Sequence, residues 1–303
     1  MTRRNAHPKA DNGKQPAPDY VGRFAPTPSG PLHIGSLLTA VASWLDARAA
    51  SGTWLVRIDD LDTPRVDPDA ESAILATLES HGLRWDGPVH RQSDNRDRHD
   101  GAVSGLGERC FACACTRREL RGLDRYPGTC RDRGLPRDGN ALRVRAEVKA
   151  PAFMDRVQGH VEVPNRTVGD FIVRRRDGVA SYPLAVVVDD LATGVNNVVR
   201  GADLLDNTAE QLLLMRMLGM EAPTYAHLPV VVEESGVKLS KHNRATAIDN
   251  RWATQNLAAV LSLLGLDPPL DQVETMLAWA VDEWDIARVP RGTTLAGFFA
   301  IDR

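Results

Sequence analysis

The chain has 303 residues, 43% of them hydrophobic and 25% charged, and a formal net charge of -3. That is enough apolar chain for a full core and for more than one lobe, with no internal repeat or low-complexity tract. So small a negative charge gives no global electrostatic reason to bind nucleic acid, and such a partner has to be sought in a local patch.

Taken in chain order, the opening MTRRNAHPKADNGKQPAPD is polar and proline-bearing, so residues 1–19 are expected to be a disordered leader, neither signal peptide nor anchor; no later run approaches a membrane span. YVGRFAP predicts a short strand. After the PSGP break, Ile34, Leu37, Leu38, Val41, Leu45 and Ala49 recur at helical spacing until Gly52. TWLVRID predicts a buried strand. DPDAESAILATLESHG predicts a helix capped by Asp67 with Pro68 at its first position. Strand, helix, strand, helix implies a parallel sheet.

The pattern then breaks. Between Arg109 and Arg145 arginines outnumber acids, with Arg117, Arg118, Arg121, Arg125, Arg131, Arg133, Arg137 and Arg143 against Glu119, Asp124, Asp132 and Asp138. All four cysteines, Cys110, Cys113, Cys115 and Cys130, fall in this segment. Without a secretory signal they suggest a metal site rather than disulfides. From spacing alone, Cys110 and Cys113 form a CxxC pair that Cys115 and Cys130 complete as a four-thiolate site. Strand-like runs follow (ALRVRA, DFIVRRRDGVASYPLAVVVDD, NNVVRGA), then the helix NTAEQLLLMRMLG, so an insertion interrupts a doubly wound sheet. Beyond the loop VKLSKHNRA come two helical patterns, ATQNLAAVLSLLG and DQVETMLAWAVDEW, and a frayed tail.

Two motifs carry the chemistry. PSGPLHIGS (28–36) lies at the first strand-to-helix junction, where free amides and the helix dipole favour a nucleotide phosphate. Gly30 and Gly35 are expected to admit that ligand closely and His33 to contact ATP. The three spaced glycines of a dinucleotide fingerprint and the Gly-Lys-Ser/Thr of a P-loop are both lacking. KLSK, Lys238 to Lys241, is a basic loop suited to neutralising charge on a phosphate during transfer.

RFAPTPSGPLHIGS resembles the HIGH region of class I aminoacyl-tRNA synthetases of the glutamyl type, and KLSK resembles their KMSKS loop. RIDDLDTPR and VVRGADLLDNTAEQ are similar to further blocks of that catalytic core. Only 62 of the 303 residues follow Lys241, leaving no room for an anticodon-binding domain, so the resemblance is to the truncated glutamyl-queuosine tRNA(Asp) synthetase branch. It covers the chain from Tyr20 to about Trp284.

The fold this implies is α/β: a class I synthetase-type Rossmann domain with a doubly wound parallel sheet (20–108 and 170–235). Into it is inserted a zinc-containing, RNA-contacting subdomain (109–169). The KLSK loop and a short helical C-terminal region (236–303) follow. The reaction implied is attack of glutamate carboxylate on the α-phosphorus of ATP without tRNA, with Mg2+ bridging the phosphates. Glutamate then passes to the queuosine base of tRNA(Asp).

By the same resemblance Arg23 and Arg200 hold the glutamate carboxylates, the alternative for each being a structural ion pair with Asp59 or Asp203. Phe24, Ala25, Pro26 and Thr27 line the site with Arg23, and Tyr182 closes over the amino acid. Asp59 takes the ammonium group where the family usually has glutamate, while Asp60 and Asp62 brace the adjoining loop. ATP falls to Pro26, Gly30, His33, Gly35, Ser36, Lys238, Leu239, Ser240 and Lys241, with His33 and Lys241 catalytic. Ser36 replaces the last histidine of the HIGH pattern; His242, after the KLSK lysine, gets no role. For the structural Zn2+ the family pattern matches Cys113, Cys115, Tyr126 and Cys130, leaving Cys110 outside. A cytoplasmic monomer with no membrane partner is expected. The rival readings are a truncated synthetase that charges a tRNA 3′ end or another acceptor, and an inactive synthetase-like RNA-binding module.

Overall fold

The computed structural model describes residues 19–146, 148–162, 167–232 and 247–296. Residues 1–18 of the expected leader 1–19, and the KLSK loop, lie outside them. Strand β1 (Val21–Phe24) leads into helix α1 (Ile34–Ala49), β2 (Thr53–Ile58), α2 (Ala70–Ser80), β3 (His90–Arg91) and α3 (Arg96–Leu106). β1 pairs with β2 and β2 with β3, all parallel. Asp67 and Pro68 form a turn ahead of α2 instead of starting it. The Asp67 carboxylate accepts from the Asp69 amide, a local bond that competes with helical continuation.

Helix α1 buries residues nearly all round, including Leu37, Leu38, Val41 and Leu45, because Ala40, Ala42, Ser43 and Ala47 let neighbours approach its other faces. It packs on the sheet and on α6 (Ala253–Leu263) and α7 (Val273–Glu283). Burying each leucine of this kind contributes about 2 kcal/mol.

The inserted part begins at β4 (Cys110–Cys113), which pairs antiparallel with β5 (Ala141–Val144), and β5 pairs antiparallel with β10 (Phe171–Arg174). β6 (Val148–Lys149) and β9 (Thr167–Val168) form a small ribbon. Between them the hairpin β7 (Phe153–Asp155) and β8 (Gly159–Val161) reaches back to the catalytic sheet. Hydrogen bonding therefore crosses the expected boundary at 169 both ways: 153–161 joins the catalytic half, and Phe171–Arg174 joins the insert.

Helix α4 (Tyr182–Ala192) corrects a strand expectation for SYPLAVVVDD. Pro183 sits in its first turn and Pro183 to Asp190 are all buried. A helix covered on every side shows no apolar periodicity, so its valines read as a strand. There follow β11 (Asn197–Gly201), α5 (Asn207–Leu218), β12 (Thr224–Leu228) and β13 (Val230–Val232). α5 ends at Gly219 in the left-handed conformation. β11, β12 and β7 pair parallel. β11 lies against β1, and Asn196 joins them: its amide donates to the Val21 carbonyl and its side-chain oxygen accepts from the Val21 amide.

The tail is not frayed as far as Ala296. Strand β14 (Thr294–Ala296) pairs parallel with β13, and the Trp284 indole donates to Asp46 of α1. No described helix is long and apolar enough to cross a membrane.

Candidate active site

β1 lies next to β11 where the chain's winding reverses, the place where open parallel sheets leave a crevice at the strand carboxyl ends. A cavity of about 280 Å³ opens there. Arg23, Phe24, Ala25, Pro26, Thr27, His33, Gly35, Ser36, Asp59, Tyr182 and Arg200 all line it. Gly30 is not among the lining residues; its φ of +131° marks a backbone conformation that side chains rarely tolerate. A Cβ on Gly35 would sit 3.2 Å from the His33 ring, so this glycine makes room for histidine.

His33 is the N-cap of α1. Its ring accepts from the Ser36 amide at 3.3 Å and meets the Ser36 hydroxyl at 3.0 Å. That folds the imidazole over the helix amino end, where anions are favoured. Lys238, Leu239, Ser240, Lys241 and His242 lie outside the described residues. The chain leaves toward them from β13, whose Val230 and Val231 line the cavity, and returns at Ala247, which bridges His33.

Three buried guanidinium groups, of Arg23, Arg57 and Arg200, and the Asp59 carboxylate line the cavity, and the buried Asp190 carboxylate bonds to two of them. Arg23 Nε donates to Asp190 at 3.2 Å. Arg57 Nε donates to Asp59 at 2.7 Å, and its Nη1 to Asp190. The ion-pair partner of Arg23 is thus Asp190, not Asp59 or Asp203. Burial raises the Asp59 carboxyl above its usual range, with Arg57 pulling the other way. Asp190 sits below that range because Arg23 and Arg57 outweigh its burial.

Arg200 differs from both. Among the described residues no carboxylate is hydrogen-bonded to its guanidinium, which is 3% exposed, and its Nη1 has no partner. Burial pulls this group below the ordinary arginine range. Arg200 therefore lines the cavity with a buried N–H group that no protein atom satisfies, a costly state that an anionic ligand would relieve. Asp60 accepts from Ser93 and Asp62 pairs with Arg65, bracing the loop as expected.

Arg57 and Asp190 were missed from sequence. The signal was available: TWLVRI and AVVVDD each hold an ionisable residue inside an apolar run, which demands a buried partner.

In the insert, the Cys113, Cys115 and Cys130 sulfurs all lie within 4.8 Å of one another. The Tyr126 hydroxyl is 3.5 Å from Cys113 and 3.9 Å from Cys115, and it accepts from the Cys130 amide at 2.7 Å. Sulfurs at about 2.3 Å from a tetrahedral zinc lie somewhat under 4 Å apart; Cys115 and Cys130 are 3.5 Å apart. The donor set therefore fits zinc. Burial opposes charge on Cys130, yet hydrogen bonds from Tyr126 and the Ala114 amide bring its thiol down to about 6, while burial pushes Cys115 up to about 11. Cys110 does not join them. Side chains alternate along β4, so Cys110 and Ala112 enter the main insert core while Phe111 and Cys113 face the thiol cluster.

The family model for the catalytic domain of class I tRNA synthetases (E and Q) matches residues 20–265. The chain belongs to this family. A Pseudomonas aeruginosa relative named glutamyl-Q tRNA(Asp) synthetase is 48% identical over 287 residues, covering 91% of this chain and 97% of the relative. An Aromatoleum aromaticum relative of the same name is 50% identical, covering 91% of this chain and 92% of its own length. Among solved structures, a glutamate tRNA ligase from Elizabethkingia meningosepticum in complex with its amino acid superposes with a TM-score of 0.79. It is 24% identical and covers 92% of this chain and 67% of that one, so it bears on the class I synthetase fold alone.

Proposed function

We propose that this class I synthetase activates L-glutamate with ATP, without tRNA, and transfers the glutamyl group to the queuosine base of tRNA(Asp). The observation that carries the first step is the buried Arg200 guanidinium with its unsatisfied Nη1, beside Arg23 and Asp59, in the cleft that also holds the His33 end of α1. Arg200 and Arg23 take the glutamate carboxylates and Asp59 the ammonium group. Asp59 is positioned for this by Arg57, whose hold leaves carboxylate lone pairs available. Tyr182, the first residue of α4, covers the amino acid.

A glutamate carboxylate oxygen attacks the α-phosphorus, the bond to the leaving oxygen breaks, and pyrophosphate departs. In the second step a hydroxyl oxygen of the acceptor attacks the glutamyl carbonyl, its proton passes to the departing phosphate of AMP or to solvent, and AMP leaves. His33, Ser36 and the α1 amino end hold phosphate oxygens with Pro26, Gly30 and Gly35 nearby. Lys238 to Lys241 would stabilise charge on the departing pyrophosphate, and Mg2+ bound to the phosphates would neutralise the rest. For the activation step positioning and electrostatics suffice and no general base is needed, because the attacking carboxylate carries no proton.

Support for the acceptor comes from the two relatives at 48% and 50% identity and their printed names. Cys113, Cys115, Cys130 and Tyr126 would hold a structural Zn2+ that staples the insert, whose exposed arginines face the phosphates of the RNA. The division into a catalytic half, an insert and a helical C-terminal region, acting as a cytoplasmic monomer, belongs to the same reading.

The test is pyrophosphate exchange into ATP, followed by transfer of labelled glutamate to tRNA pools that differ only in queuosine. Glutamate-dependent exchange without tRNA, and label only on the queuosine-containing pool, is the expected result. Exchange driven by aspartate or glutamine would overturn the roles of Arg23 and Arg200. Label on the queuosine-free pool would favour charging of a 3′ end, and absence of exchange an inactive RNA-binding module.

A further inference from the structure

In the β11–β12 ladder Arg200 and His227 are direct cross-strand partners. His227 is 0% exposed, and every atom that bonds its ring belongs to the protein interior. Nδ1 lies 2.6 Å from Asp155 Oδ2, while Nε2 lies 3.0 Å from Arg200 Nε and 3.2 Å from the Thr208 hydroxyl. The Asp155 carboxylate also accepts the amides of Val157, Gln158 and His227 through Oδ1, so the turn of the β7–β8 hairpin fixes it in place.

These bonds admit one protonation state. Arginine Nε is a donor only, so Nε2 must offer its lone pair; the ionised Asp155 is an acceptor only, so Nδ1 must carry the proton. We infer that Asp155 and His227 are positioning residues for glutamate recognition, holding the neutral Nδ1–H imidazole whose Nε2 fixes the Arg200 guanidinium in its substrate-binding orientation. Nε and Nη2 of Arg200 are occupied by His227 and Thr208, which leaves Nη1 without a protein partner. The inference rests on the reading of Arg200 as a glutamate ligand.

Protonation of His227 would place a second N–H opposite Arg200 Nε and two cations side by side, so the orientation would be lost in acid. The groups facing the ring are Asp155 from β7, Arg200 from β11, Thr208 from α5, the Tyr225 ring stacked at 5.8 Å, and Arg23 through space from β1. Burial, with Arg200 and Arg23 adding to it, holds the His227 imidazole below the ordinary histidine range against the pull of Asp155. Loss of glutamate affinity is therefore expected on the acid side of neutrality, not above it.

His227→Asn keeps a donor for Asp155 but withdraws the acceptor from Arg200, whereas the longer His227→Gln restores an acceptor near the Nε2 position. In pyrophosphate exchange, H227N should raise the glutamate KM about ten-fold or more while kcat and the ATP KM stay within about two-fold, and H227Q should recover part of the loss. The acid rise of the glutamate KM in the wild type should be absent from H227N. Arg200→Ala separates the two levels. If R200A leaves the glutamate KM unchanged, the site reading fails; if R200A raises it and folded H227N does not, the positioning role fails. Should the variants not fold, 15N NMR of the wild-type histidines decides. A neutral Nδ1–H signal for His227 supports the inference, and an Nε2–H tautomer or an imidazolium at neutral pH overturns it.

Discussion

Arg23, Arg57 and Arg200 stand on strands, each at most 4% exposed and each fixed by named partners. Between Ala114 and Asn140 the arginines of the insert are mostly exposed, on backbone that forms neither helix nor strand. The first region holds its cations by sheet register and by buried partners, carboxylates for Arg23 and Arg57 and the His227 ring and Thr208 hydroxyl for Arg200. The second holds its loops through one small cluster of Phe111, Tyr126 and three thiols. Recognition of a small, fixed anion calls for the first kind of construction. A long, flexible polyanion is met adequately by the second, because contacts to phosphates need position and charge more than preset geometry.

Removing a thiol should break the contrast most severely. Cys130→Ser is expected to take zinc content from about one per chain to near zero and to unfold the 114–140 loops, since a metal held there would contribute its binding free energy to folding. Elemental analysis together with hydrogen exchange on β4 and β5 checks it; retained metal would reject the ligand set. Catalytic-half amides should keep their protection in the same experiment.

Next in size is the dry ion network. Asp190→Asn leaves Arg23 and Arg57 short of a counter-charge and should cost about 3–5 kcal/mol in denaturant unfolding. Acid provides a milder version of the same damage. Because Asp190 is held below its ordinary value of 3.8, its contribution is complete above that pH and is lost as pH falls through the lower folded value. Circular dichroism against pH should show this acid limb in the wild type and a smaller one in D190N.

The smallest effect is expected at Cys110, on the other face of β4 from the thiol cluster. Cys110→Ser should leave the metal content unchanged and cost only about 1–3 kcal/mol for a buried hydroxyl. Loss of zinc in this variant would return Cys110 to the ligand set.

The first strand-to-helix motif and the parallel sheet were legible because glycine, proline and apolar spacing report directly on strand-to-helix junctions, whereas Arg23, Asp59, Tyr182 and Arg200 were reached through the family resemblance and the KLSK loop lies outside the described residues. Three things were not legible. α4 is buried on all sides, so its VVVDD run carries no helical period. The Arg57–Asp190 pair joins residues 133 positions apart, and the register of β11 on β12 sets His227 beside Arg200; neither distance is written in local sequence. That Cys110 stays outside the thiol cluster was given by the family resemblance, and the alternation of side chains along β4 supplies its physical reason.

The last strand has a practical corollary for anyone shortening this protein. The family match stops at residue 265, yet β14 at 294–296 is the parallel neighbour of β13, from which the chain departs for its lysine loop. Gln158 clasps both His227 and Gly292, spanning the substrate arginine's support and that same tail. A fragment trimmed to the homology boundary would preserve almost every signature motif and yet forfeit the buttress behind them, so minimal versions should be cut no earlier than Ala296.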